Sequence, residues 1–312
     1  MALLALPFLV RSPYSLHLLD MAAVYVIAVL GLYLVVGLCG QFSLAQGAFF
    51  GLGAYGLALL ENRLHFPAPA AALGGALLAA AFGLVVGLPT LRLRGHYLAM
   101  ATIGFGEIVY LTLKNWIALT NGPDGLNVKR AFAWSGVAAG GALAYDRAFY
   151  FLAVGLAVAA ALAALGVRRS AWGRLLMAVR DNELAAATLG IAVTRVKVAA
   201  FAGSAFFGGL AGALYAQLET YISPDTFTFD LSVTLLMMLL VGGRYSVAGA
   251  VAGAVLLGFL PEWLRFLKDY YMLLFGALVT ASVIFMPAGI AGAVAAKGAS
   301  LDVAGLWRRA KT

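Results

Sequence analysis

The chain has 312 residues, 63% of them hydrophobic and only 11% charged; ordinary soluble domains carry about 25% charged residues, so a soluble enzyme or binding module is excluded. The net charge of +8 would suggest nucleic acid in a soluble protein, but here Lys and Arg sit in short loops between apolar runs, as positive-inside loops do. Cys39 is the single cysteine, which excludes disulfides and cysteine-based metal sites within one chain.

Apolar runs of about 20 residues recur, the length that crosses a bilayer core of about 30 Å. They predict an all-α, polytopic transmembrane helical bundle of eight to ten spans, one domain over the whole chain; a barrel would show alternating segments of about 10 residues instead. The first apolar piece, Ala2 to Val10, is short, contains Pro7 and has no basic stretch before it, so it is not read as a cleaved signal. Expected spans are Leu18–Leu38, then Phe42–Leu60 with four glycines, then Ala68–Leu88 ended by Pro89, then Tyr97–Leu119. The polar stretch 120–146 opens with "NGPDG", and Arg147–Val167 and Val196–Leu218 are the fifth and sixth spans. Leu231–Val241 is too short to cross alone; either Thr226–Asp230 extends it or it is re-entrant. Val247–Leu267 and Tyr270–Pro287 complete the set, and Pro261 is expected to kink its helix. Glu262, Arg265 and Lys268 follow it near a membrane end, where long basic side chains can snorkel.

Arg168, Arg169, Arg174, Arg180, Arg195 and Lys197 crowd one loop, Arg92 and Arg94 another, and Lys297, Arg308, Arg309 and Lys311 the tail. The span count puts all three on one side, which is then cytoplasmic; the stretch 120–146 and the amino terminus face out, and 289–312 is a cytoplasmic tail.

The loop "GRLLMAVRDNELAAATLGIAVTR", Gly173 to Arg195, has the punctuation of an ordered element. Asp181 and Asn182 are good N-cap residues, Glu183 falls where the helix dipole favours an acid, and three alanines favour a helix. Gly190 is placed to end it in a left-handed conformation. A helix of two turns, about 10 Å long, is unstable alone because nucleation is costly, so it needs a surface to pack on. On charge alone the loop reads as an ordinary topological anchor.

"RDNELAAATLGI" resembles the EAA-type loop of ABC-importer permeases, with Glu183, Ala186 and Gly190 at its Glu, Ala and Gly positions. "GLCGQFSLAQGAFFGLGAYGLALL", "LRLRGHYLAMATIGFGEIVYLTLKNWIALTNGPDGL" and "VGGRYSVAGAVAGAVLLGFLPEWLR" extend the resemblance to the branched-chain amino-acid (LIV-type) branch. Tyr245, Ala250 and Gln46 depart from that branch's frequent residues. The resemblance implies an ATPase-coupling element over 168–195 with Arg174, Arg180, Asp181, Asn182, Glu183, Ala186 and Gly190. It also implies partner ATPase subunits that carry ATP and Mg, a second homologous permease, and an extracytoplasmic binding protein in a bacterial or archaeal inner membrane. Branched-chain or other hydrophobic amino acids are the expected cargo, with urea and short amides as the nearest alternative.

An acid at a helix centre costs about 2.5–3.5 kcal/mol on insertion scales, so Glu107 should meet a path, a gate or a hydrogen bond from another helix. Lys114 is two turns from it, too far to pair. Gln41, Ser43 and Gln46 open the second apolar segment, where a broken helix could expose polar groups to cargo; the competing reading is close packing through Gly47-xxx-Gly51. With Thr102 and Glu107 they are the candidate translocation path. Ser204, Gly208 and Gly212, and later Gly249 and Gly253, mark close-contact helix faces. An ion-coupled secondary transporter, with Glu107 as its coupling site, is the alternative of a different class. No G-x-x-x-x-G-K-[ST] occurs, so ATP hydrolysis belongs to another chain. His17, His65 and His96 match no metal spacing and no nucleophile motif is present, so neither catalysis nor a cofactor is expected here.

Overall fold

Ten helices longer than one turn carry the fold in the computed structural model, which describes residues 12–90, 95–129, 142–263, 276, 277, 280 and 289–292. Helix α1, Pro13–Leu32, continues through a π-helical turn, Tyr33–Leu38. Then come α2, Gln46–Leu64, α3, Ala68–Thr90, α4, His96–Asn115, and the single turn α5, Ile117–Thr120. After a short strand β1, Leu126–Asn127, the chain forms α6, Ala142–Arg169, α7, Ala171–Asp181, α8, Glu183–Thr188, and α9, Val193–Glu219. Strand β2, Tyr221–Ile222, precedes α10, Phe229–Gly242, and α11, Val247–Trp263. Among the described residues, four segments are long and apolar enough to cross a membrane: Pro13–Leu38, Ala68–Gly87, Tyr145–Arg169 and Val193–Glu219. At 19 and 20 residues, α2 and α4 have the length of a crossing as well.

Within the described residues, helices cover the expected spans, with shifted ends. Pro89 does not stop its helix, which runs on to Thr90. The span Tyr270–Pro287 (apart from three residues), Arg92, Arg94, Arg265, Lys268 and most of the tail lie outside the described residues. The short piece resolves as α10, whose 14 residues measure about 21 Å at 1.5 Å per residue, less than a bilayer core. It starts inside the bundle: Ser232 Oγ, one turn in, accepts a 2.8 Å hydrogen bond from the Gly47 amide at the start of α2. The turn before it, Pro224–Phe227, buries Phe227 against Tyr55 and Phe50 of α2.

Glycine sets how closely the central helices approach. A Cβ added at Gly212 of α9 would lie 1.8 Å from the Phe50 carbonyl oxygen of α2, and one at Gly53 of α2 1.9 Å from that of Gly209. Backbones so close gain van der Waals contact that any side chain would forbid. The pair α10 and α11 uses the same device, with Gly253 against the Met238 carbonyl. So the small-residue faces of the sixth and later spans are internal contacts. Helix α1 lies at the centre and is nearly all buried, whereas only about a third of α6 is buried.

The two ends of the bundle differ. One end carries α7 and α8. At the other, β1 pairs antiparallel with β2, Leu126 opposite Ile222. Gly125 bends there with φ +64, and its missing Cβ leaves room for the Ile222 carbonyl. Arg63 donates to the Ala118 carbonyl and, at 3.2 Å, to that of Leu119; Asn62 donates to that of Asn127 at 2.8 Å.

Candidate functional site

The charged loop folds as its punctuation predicts. Asn182 is the N-cap of α8; its side-chain oxygen accepts from the amides of Leu184 and Ala185 at 3.0 and 3.1 Å. Gly190 has φ +80, and the amides of Gly190 and Ile191 reach back to the carbonyls of Ala187 and Ala186. This pair of bonds closes a helix through a left-handed glycine. Helix α7 is amphipathic: Gly173, Leu176 and Val179 are buried, while Arg174 is exposed. Ser170 caps it by accepting from the Gly173 amide at 3.2 Å.

The loop's charges are tied into the bundle. Glu183 accepts a hydrogen bond from Gln41 Nε2 at 3.1 Å and pairs with Lys197 Nζ at 2.6 Å. Lys197 is almost wholly buried and the Glu183 side chain is 20% exposed, so this pair is far less screened than a surface ion pair. Arg180 donates to the Gly37 carbonyl at 3.1 Å, pairs with Asp181 at 3.0 Å and lies 5.1 Å from the Tyr245 ring centre, in cation–π range. Its stem occupies the space that a Cβ at Gly40 would need. One short segment, 37–41, thus receives both Arg180 and, through Gln41, Glu183. Ala186, buried, faces inward.

The candidate path residues do not converge. Gln41 belongs with the charged loop. Ser43, buried, accepts from the Ala45 amide. Gln46 binds three helices: its Nε2 donates to the Ala28 carbonyl at 2.8 Å and more weakly to that of Ser204, and its oxygen accepts from Ser204 Oγ at 2.9 Å. Its departure from the family's frequent residue has this packing role. Thr102, fully buried, accepts from the Leu44 amide at 3.0 Å and donates to the Ala99 carbonyl at 2.8 Å, holding the non-helical segment before α2. Glu107 stands apart. It is exposed on α4, beside a small cavity bounded by Ile103, Phe227 and Ser232.

Lys114 finds a partner that its own helix does not supply. It donates to Asp225 at 3.0 Å and to the Tyr110 hydroxyl at 2.7 Å, and Tyr110 itself donates to Asp225 at 2.8 Å. The Tyr110 hydroxyl, and after it the Lys114 ammonium, hold the Asp225 carboxyl below its ordinary value. Gln217 donates to Glu61 at 2.9 Å inside the bundle, and His17 lies 3.3 Å from Glu219. Sequence reading missed Lys197, Asp225 and the Glu61–Gln217 pair. Only Lys197 left a trace, counted among the basic residues of the charged loop.

Residues 14–283 match the family described as branched-chain amino acid transport system / permease component. The high-affinity branched-chain amino acid transport system permease proteins LivM of Salmonella typhimurium and Escherichia coli are 35% and 34% identical over 305 residues, 92% of this chain and 72% of theirs. A probable LivM of Methanocaldococcus jannaschii is 25% identical over 240 residues, covering 69% of this chain and 66% of its own. No solved structure matches.

Proposed function

Because the chain belongs to the family of branched-chain amino acid transport permease components, a multi-pass membrane family without catalysis of its own, we propose that it carries branched-chain or other hydrophobic amino acids inward, driven by a partner ATPase. The observation that carries the reading is the capped helix α8 fastened through Glu183 to Lys197 and Gln41. In this reading the ATPase, which holds ATP and Mg, docks on the Arg174–Gly190 element at the cytoplasmic face. Asn182 and Gly190 fix the helix ends, Ala186 seats it, and Glu183 with Arg180 passes its displacement to segment 37–41 and to α9. Asp181 and Arg174 lie on the outer side of the element, within reach of the ATPase. A separate binding protein delivers cargo to the opposite face.

Helix α4 supports a second permease copy or homologue. Its Tyr97, Met100, Ile108 and Glu107 are exposed on a helix that must otherwise face lipid. An acid facing lipid is costly; an acid facing a path shared with a second permease is not. Glu107 is therefore the best path candidate; Thr102 ties its helix to the segment before α2, while Ser43 and Gln46 hold α2 itself in place.

The test is the variant pair Glu183→Ala and Gly190→Val in the assembled transporter. Compared at equal amounts of assembled transporter in the membrane, both variants should lose at least tenfold in cargo-stimulated ATP hydrolysis, about 1.4 kcal/mol in coupling. Uptake that persists in cells lacking the partner ATPase would overturn the reading. Screening the associated binding protein with Leu, Ile, Val and urea separates amino acids from short amides.

A further inference from the structure

At the end of the bundle that carries α7, a groove of about 470 Å³ opens between α1, α6, α7 and α9. Leu34, Val167, Leu176, Ala200 and Phe207 line it together with Gly166, which is exposed and whose added Cβ would project into open space, meeting nothing within 4 Å. Ser170 also lines it, but its hydroxyl is already used, donating to the Val167 carbonyl at 2.7 Å and capping α7. Apart from the Trp172 indole N–H, the walls offer water no free polar group, and a site needs two to four such partners to hold one.

The rim has the opposite character. Arg168 and Arg169 follow Val167 directly and are exposed, as is Arg174, which sits within 3.5 Å of the Arg169 carbonyl. Across the groove, Arg195 is exposed one turn from Ala199 on the same face of α9. No ion pair engages any of these four arginines among the described residues. Trp172 lies between rim and wall, 53% exposed; Trp is enriched at the level of lipid headgroups.

An apolar slot with uncompensated cations and a Trp at its mouth is complementary to one kind of molecule. We propose that it binds an anionic phospholipid, one acyl chain in the groove and the phosphate among Arg168, Arg169, Arg174 and Arg195. Basic pockets between helices recognise anionic headgroups in this way. The bound chain packs on Leu176 of α7, so it also sets where the element holding α8 sits. The proposal needs the bundle to lie in a bilayer with this end at headgroup level; it does not depend on what is transported.

The experiment uses the purified transporter complex, delipidated and then incubated without cargo in equal amounts of phosphatidylglycerol and phosphatidylcholine, with retained lipid read by native mass spectrometry. The unaltered complex should retain phosphatidylglycerol about tenfold over phosphatidylcholine. Arg168→Gln with Arg169→Gln should bring the ratio to about one. Gly166→Phe should abolish retention of both, with Gly166→Ala as the control for folding. Equal retention by the unaltered complex overturns the proposal, as does a preference that survives both the arginine and the Phe variants. Retention of no lipid, because a second permease covers the groove, overturns it too. Since cargo is absent, failure here is distinct from failure of the transport reading.

Discussion

Lys197 shows what burial does to a pair of ordinary charges. Only 5% of its side chain is exposed, and its ammonium has Glu183 at 2.6 Å. Removing one member of such a pair leaves the other charge uncompensated, at a cost of about 3 kcal/mol, whereas removing both is far cheaper. Lys197→Met and Glu183→Gln should therefore each destabilise the chain, and the double variant should recover about 1–3 kcal/mol relative to their sum. Denaturant titration of the purified protein in micelles reads this directly; additive losses would refute the pairing. Asp225 is the contrasting case, 61% exposed and next to a Lys114 that is 37% exposed. Its lowered folded value means the contribution is present above the unfolded value near 3.9 and is lost as pH falls through the lower folded one. The stability difference between wild type and Asp225→Asn should hold steady from neutral pH to about 5 and close below about 4. It should shrink in high salt, since both groups face solvent. A gap that widens with acid would contradict the assignment.

Among the elements, α2 and α9 meet without side chains between them. Gly212→Ala should force the helices apart and cost about 1–3 kcal/mol, because its Cβ would lie 1.8 Å from the Phe50 carbonyl oxygen. Gly155→Ala on α6, whose Cβ would meet open space, should instead raise stability by up to about 1 kcal/mol through helix propensity. Thermal melting of the two variants in detergent separates packing glycines from incidental ones. These same elements show what a sequence can and cannot disclose. Span positions were legible because about 20 apolar residues in a row have few other uses, and α8 was legible because caps are local chemistry. The partners of Glu183 were not: Gln41 is 142 residues away, and no local rule links them. Phe229–Gly242 was ambiguous because its depth depends on Ser232 meeting Gly47, again a tertiary fact. Gln41 looked like a path residue for a similar reason. Its polarity was visible, but not the carboxylate it serves.

For the molecule as a whole, the basic end and the β-paired end should lie on opposite sides of the membrane. With Cys39→Ser as background, Asn127→Cys, on the β-paired end, should react with an impermeant thiol reagent added to intact cells. Leu189→Cys, 81% exposed beside α8, should react only after the membrane is opened. The reverse pattern would invert the orientation and place the proposed coupling element outside, where no ATPase could reach it. One feature of the central helix bears on how such chains diverge. The π-helical turn Tyr33–Leu38 holds an extra residue in its backbone loop, so it has the form of a single-residue insertion in an α-helix. Deleting one residue there would restore an unbroken helix and turn everything after it by about 100°. The Gly37 carbonyl would leave Arg180, and Gln41 would leave Glu183. Length variation should therefore be tolerated in the loops of this protein and selected against in these six residues, although they include no charged side chain.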